Sequence, residues 1–552
     1  MANPLHDKLT RRALMGGGAV VVAVGGGAFA LRGNQERGRH PTGDAHTLNR
    51  GNGAEPDTLD PHKASADWEN NIIGDMFIGL MTESAGADPV PGAALSYTAS
   101  ADGLTYTFKL RDHVWSDGVP VTAHDFVYSF RRILDPKTAA QYASILYPIK
   151  NAEAVNGGKL PPGAVGVRAL DDLTLAMDFE FQVPYLPQLL AHYTTFPVPR
   201  HVVEKYGDDW LAPEHIAVNG PFVLKEWLPN DHIRLAKNPR FYDAASVAID
   251  TVNFYPTQDA AAALKRFRAG EFDLITDSIP PQQVDWLREN MSRDLRLWPY
   301  IATQYAVFNV NRKPFTDARV RTAVAMAIDR EVLTRRVMRA GERPAYAMVP
   351  PGMPGYPGKA RFAFEAMPMA ARIEKAQELL AQAGYGPDNP LTFDFNSQNT
   401  TETRIISVAL QEMWRQIGAQ VRIVSSESQI HYNLLRKHDF ALGWAGWSAD
   451  YRDPKNYLML FESSSKDLNS GSYSNPKFDA LVAKSNYTGD PKARFALLQE
   501  AEQTLLDDAG VAPVFYGVTR DLVSTQVKGW VSNNVNINRS RYLSLDRSIT
   551  AV

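Results

Sequence analysis

At 552 residues, 44% hydrophobic and 22% charged, the chain has the composition of a globular protein long enough for roughly three to four domain-sized units. Its 58 Lys and Arg against 61 Asp and Glu, a net charge of −3, provide no basic field for a phosphate backbone, so nucleic acid is not an expected partner. The absence of cysteine excludes disulfides, thiolate metal ligands, a catalytic thiol and a lipidated cysteine at a signal end.

Residues 1–30 read as an export signal. Arg11-Arg12 precede an uncharged run from Ala13 to Ala30 that ends in the cleavage pattern Ala28-Phe29-Ala30. Thr10 to Met15 resembles the twin-arginine motif, with Leu14 where an aromatic is usual, and the glycine-rich run suits that route because glycine makes a poor membrane helix. Sec export is the alternative. An uncleaved anchor is third, since the run sits at the short edge of the ~17 to 25 residues a span needs. Each version puts the mature chain outside the cytoplasm, in the periplasm, with 31–45 as a flexible lead-in.

Beyond that, alternation comes first. Leu104, Tyr106, Phe108 and Leu110 alternate with polar residues between Asp-Gly turns, predicting a hairpin strand with one buried face. Thr122 then caps a helix whose Phe126, Phe130 and Ile133 share a face. Short strands and helices intermix through "LAMDFE", "FVLKEW", "IRLAKN" and "AALKRFRAGEFDLI". The run "DARVRTAVAMAIDREVLTRRVM" predicts one long amphipathic helix, "RIEKAQELLAQAG" a helix ending at Gly384, and "ETRIISVALQEMWRQIG" a helix stacking Ile406, Leu410, Met413 and Ile417. "QVRIV" and "DFALGWAGW" follow as strands. Helices flanking apolar strands imply an α/β layer fold with a mainly parallel sheet.

The last of these strands runs into "SADYRDP", which leaves Asp450 at its carboxyl end, where such sheets bind ligands. A solvated turn residue or helix cap is the bland alternative. No nucleophile elbow, zinc helix, phosphate loop or calcium loop occurs in the mature chain, and the twelve histidines are scattered rather than spaced as ligands. An enzyme is therefore the weaker class, and no metal or cofactor is expected.

Five blocks, "TLDPHKASADWENNIIGDMFIGLMT", "YTFKLRDHVWSDGVPVTAHDFVYSFRRILDP", "VNGPFVLKEW", "FNVNRKPFTDARVRTAVAMAIDRE" and "AGWSADYRDPKNYL", resemble in order and spacing the periplasmic oligopeptide-binding receptors of ABC importers, bacterial solute-binding family 5. The likeness runs from about His46 to about Leu543. It implies a two-lobed periplasmic binding protein fold of the large peptide-binding class, type II, with an extra inserted domain. Lobe one is then expected at 46–77, 201–301 and 519–552, the insert at 78–200 and lobe two at 302–518, with hinges near Ile301 and Val518.

The resemblance also assigns a site. Asp450 would pair with a peptide's α-ammonium, the main chain of Gly446-Trp447-Ser448 and of a second strand at Ala64-Ser65-Ala66 would hydrogen-bond an extended peptide, and Tyr142 would line the cleft. Arg404 stands at a family histidine position and Trp444 at a family arginine position, so the grip on the peptide carboxylate departs from the pattern. Arg404 and Arg436 are the candidate cations for it. The implied function is a non-catalytic receptor that delivers short peptides to an ABC permease and ATPase complex in the inner membrane, acting as a monomer. A murein-peptide, nickel-complex, opine or sugar receptor of the same fold is the alternative, with a periplasmic enzyme or chaperone further off.

Overall fold

The computed structural model describes residues 44–276, 279–465 and 468–549. The export segment 1–30 and all but the last two residues of the lead-in 31–45 lie outside them.

Local patterns become elements as the periodicities predict. The strand Thr105–Leu110 buries Phe108 and Leu110 and pairs with Ala94–Ala99 on one side and Thr174–Asp178 on the other; with Val167–Asp171 these make a four-stranded antiparallel sheet. Next comes the helix Ala123–Leu134, started by Thr122, whose amide donates to the Asp125 carboxylate at 2.8 Å. The helix Met369–Gln382 stops before Gly384, which takes the left-handed φ of 87° that glycine tolerates.

One predicted helix is broken. The run expected as continuous from 317 to 338 forms the helix Ala318–Met326, then a new start at Arg330–Val332, then a wider π-helical turn Leu333–Met338. Asp329 causes the restart: its side chain accepts the Val332 amide at 2.9 Å, an N-cap bond that competes with helix continuation.

The main sheet has eleven strands. Ten lie in the order Gln420–Ser426, Thr392–Gln398, Leu442–Ser448, Leu295–Phe308, Val511–Val523, Leu274–Ile275, Thr47–Gly51, Thr251–Tyr255, His232–Lys237 and Phe222–Leu228; Arg343–Pro344 adds to Val511–Val523 off this row. A mainly parallel sheet was expected, but the sheet is mixed. Parallel pairing is confined to two groups, around Thr392–Gln398 and around Thr47–Gly51. The middle is antiparallel because the long strands Leu295–Phe308 and Val511–Val523 run past each other in opposite directions.

These two strands join two halves. Their pairing of Leu295–Pro299 with Val518–Leu522 and of Thr303–Val307 with Val511–Tyr516 is interrupted by a register shift between Pro299 and Thr303, next to a proline that has no N–H to donate. On one side a core gathers Leu48, Phe222 and Phe254 with Phe108, Trp115 and Phe126 from the four-stranded region. On the other, Phe308, Phe395, Trp414, Leu442, Trp444 and Phe515 form a second core. The molecule therefore has two lobes, and the segment carrying the four-stranded sheet shares the first lobe's core.

Candidate functional site

The strand Leu442–Ser448 is paired along its whole length with Leu295–Phe308, from Leu442 opposite Phe308 to Ser448 opposite Ala302. Its other edge meets Thr392–Gln398 only at Leu442 and Gly443. Main-chain groups alternate sides along a strand, and two bonds fix the phase here: the Ala441 carbonyl accepts the Asn309 amide from the paired side, and the Trp444 carbonyl bonds the His431 Nε2 on the other. Gly446 and Ser448 therefore turn their amide and carbonyl to the open edge, whereas those of Trp447 face the paired strand. A Cβ at Gly446 would lie 2.5 Å from the Gln304 side-chain nitrogen, so any larger residue there would push that amide aside.

Two residues past this strand stands Asp450. Asn456, fully buried, holds it: its Nδ2 donates to the Asp450 carboxylate at 3.2 Å, and its Oδ1 accepts the Asp450 amide at 3.2 Å and the Trp447 indole N–H at 2.8 Å. Asp453 completes the turn by accepting the Lys455 amide at 2.9 Å and a two-pronged bond from Arg494 at 2.7 and 2.9 Å. Trp444, a candidate either for ligand stacking or for core packing, is buried against Phe515 in the second lobe's core.

Burial pushes the Asp450 carboxyl up to about 7; the Asn456 bond opposes this and the charge of Asp67 adds to it. Its side chain is 12% exposed, and the basic group placed against it is His192, with Nε2 3.8 Å from Oδ1. That imidazole is held down to about 4 by burial, so it is neutral at pH 7 and supplies no charge. Among the described residues, none brings a charged basic side chain against this carboxyl.

The opposite wall comes from the first lobe and the four-stranded region. Tyr142, whose phenol burial raises well above its ordinary value, stacks near His192 with ring centres 6.1 Å apart, and Tyr193 lies 4.3 Å from the same imidazole. The Tyr193 hydroxyl donates to the Ala64 carbonyl at 3.2 Å, which brings the 64–66 segment to this wall. That segment was expected as a strand. It is instead an extended lead into the helix Asp67–Met76: the Ser65 and Ala66 amides donate to Glu69 at 2.8 and 2.9 Å, and Ala66 sits at φ −121°, ψ 152°. Its amides are thus engaged, and Ser65 is exposed.

The turn after Asp450 spans to that wall. Tyr451 stacks on Tyr185 at 4.2 Å and 5°, Arg452 pairs with Asp88 at 2.6 Å, and the Lys455 ammonium lies 4.8 Å from the centre of the Phe181 ring. Asp450, Gly446, Trp447, Ser448, Tyr142 and the 64–66 segment are thus connected by direct contacts. Arg404 is not among them: it is exposed near the start of the helix Thr401–Arg415, touching Thr401 at 3.4 Å, and Arg436 is likewise exposed. Sequence reasoning missed Asn456, His192 and Arg494. Only Asn456 carried a signal, as a polar residue inside the quoted "DPKNYL" block. Among the described residues no group of three or more His, Cys, Asp or Glu is arranged to hold a metal ion, and no helix is long and apolar enough to cross a membrane.

Two lobes joined by two strands, with an open strand edge and a buried carboxylate at their meeting surface, define a solute-binding receptor. The family description "Bacterial extracellular solute-binding proteins, family 5 Middle" matches residues 88–469, and the chain belongs to that family. It is 36% identical over 495 residues to the periplasmic oligopeptide-binding protein OppA of Salmonella typhimurium, covering 89% of this chain and 91% of that one. The crystal structure of Haemophilus influenzae OppA in complex with RPPGFSPFR superposes with a TM-score of 0.85 at 32% identity, over 91% of this chain and 99% of the other. The murein tripeptide-binding protein MppA of Escherichia coli, 32% identical, scores 0.85 over 91% and 99% of the two chains, against 0.72 over 92% and 98% for its unliganded open form. With the cross-wall contacts of Tyr451, Arg452 and Lys455, these scores describe lobes closed on one another.

Proposed function

We propose that this chain is an extracytoplasmic receptor that captures short peptides between its two lobes and delivers them to an ABC importer. The observation that carries this reading is Asp450: a desolvated carboxylate with no charged basic partner among the described residues, at the end of a strand whose Gly446 and Ser448 main chain is open. An extended peptide supplies both complements, an α-ammonium and a row of backbone donors and acceptors, whatever its side chains are. Likeness to OppA proteins supports the same reading. A murein-peptide receptor is the second reading, favoured by the likeness to MppA, because such a peptide also brings an α-ammonium.

On this proposal lobe one comprises 46–77, 201–301 and 519–552, lobe two 302–518 and the insert 78–200. The register shift between Pro299 and Thr303 supports hinges near Ile301 and Val518. The receptor works as a monomer, without catalysis, and docks on the permease and ATPase complex. Mass spectrometry of ligand released from natively purified protein tests the ligand class. A ladder of short peptide masses is expected; a sugar, an opine or a nickel complex in their place would refute it.

Export by the twin-arginine route belongs to the same proposal. Replacing Arg11 and Arg12 by lysines keeps the charge but removes the guanidinium pair that this route reads, so precursor should accumulate in the cytoplasm. Undiminished periplasmic yield on fractionation would assign the chain to Sec instead.

A further inference from the structure

An unpaired strand edge invites its neighbour to complete the ladder, and here side chains stand in the way. The strand Leu442–Ser448 and its parallel neighbour Thr392–Gln398 pair Leu442 with Phe395 and Gly443 with Asn396, then stop, although both strands run on. The Asn399 amide donates to the Ser426 carbonyl on the far side at 2.8 Å, so by alternation Gln398 turns its amide and carbonyl towards Leu442–Ser448. One more step of ladder would join the Gln398 amide to the Trp444 carbonyl. The next would join the Gly446 amide to the Gln398 carbonyl.

Side chains occupy both of those carbonyls instead. The His431 Nε2 donates to the Trp444 carbonyl at 2.8 Å, and the Thr403 hydroxyl donates to the Gln398 carbonyl at 2.6 Å. His431, in the helix Ser428–Arg436, is fully buried, and its Nδ1 has no partner among the described residues, so the ring's one hydrogen bond is the one to Trp444. Burial lowers the basicity of this imidazole, which keeps it neutral with its proton on Nε2. Tyr432, next in the same helix, accepts the Gln398 side-chain amide at 2.9 Å, so the helix is fixed to both strands at the point where they part. Thr403 sits in the first turn of the helix Thr401–Arg415, which begins as the neighbouring strand ends.

We infer that His431 and Thr403 are positioning residues for ligand capture: by occupying the two carbonyls through which the strands would zip together, they keep the Gly446 amide free for an extended peptide. This rests on the peptide-receptor reading above. It also bounds the ladder, because the Trp444 carbonyl is closed to the ligand and Gly446 and Ser448 are the residues left for it to pair with.

Hydrogen exchange read at single amides, on the full mature chain without peptide, tests it. In the wild type the Gly446 amide should exchange freely. In the double variant His431→Leu with Thr403→Val both carbonyls are released, so the ladder should extend and slow exchange at Gly446 about tenfold or more, while Ser448, beyond the reach of Gln398, stays unchanged. By calorimetry the same variant should bind the tripeptide Ala-Ala-Ala about two- to tenfold more weakly than the wild type, the worth of one main-chain hydrogen bond. Thr403→Ser, which keeps the hydroxyl, should behave as the wild type does. A Gly446 amide already protected in the ligand-free wild type, or one still unprotected in the double variant, would overturn the positioning role. If urea unfolding shows that the buried His431 substitution unfolds the chain, Thr403→Val alone decides: slowed exchange at Gly446 upholds the role and unchanged exchange overturns it. A wild type that binds no peptide would refute the peptide reading, whereas the exchange result would still decide whether these two side chains hold the edge open.

Discussion

Asp450→Asn should cost about 2 to 5 kcal/mol of peptide affinity, because it removes the charged partner of a desolvated ammonium and leaves that cation unpaired. The protein's own electrostatics set the scale. Raising a carboxyl from 3.8 to about 7 costs the carboxylate roughly 4 kcal/mol above pH 7, and the cost fades as pH falls and the group takes up its proton. A ligand cation offsets that cost, which is why binding and lobe closure should be coupled through this residue. N-acetylation of the peptide deletes the same interaction from the other side, so the two losses should not add. Calorimetry of wild type and variant with free and acetylated forms of one peptide measures the cycle. Additive losses, or an acetylated peptide bound as tightly as the free one, would reduce Asp450 to a strand-end turn residue.

The largest effect on stability is expected at Arg494. Its guanidinium and the Asp453 carboxylate are 5% and 6% exposed and bonded at both prongs, so Arg494→Ala strands a buried carboxylate and should destabilise the chain by about 3 to 5 kcal/mol. The damage should reach the site. Asp453 caps the short helix Lys455–Leu458, which carries Asn456, the residue that holds both Asp450 and Trp447. Removing both charges, as Arg494→Met with Asp453→Asn, should recover much of the loss, since no uncompensated charge then remains. Urea unfolding of the two variants compares them directly. A double variant no more stable than Arg494→Ala would show that packing around the arginine matters more than its charge.

Much of this was legible in the chain itself. Phe108 and Leu110 sit on the buried face that alternation assigned them; Thr122 and Gly384 begin and end helices as their chemistry requires; and Asp450 follows a strand, as the apolar run before it implied. These are local properties, set by side-chain periodicity and by which backbone angles and bonds a residue accepts. The ordered blocks from "TLDPHK" to "AGWSADYRDP" carried the family.

Other features are contacts between distant parts of the chain, which no local pattern encodes. Asp329 stops a helix whose spacing continues through it, because a capping bond outweighs propensity. The sheet is mixed rather than parallel because strands from the middle and the end of the chain pass antiparallel through its centre. Arg404, plausible by position, faces solvent, while His192, one of twelve scattered histidines, faces Asp450. The sequence by itself determined most of the local elements, the family and the strand-end acid. The tertiary structure alone decided that this acid is desolvated, faces His192 and has no charged basic side chain against it among the described residues, because burial and charge pairing arise only when segments hundreds of residues apart are packed together.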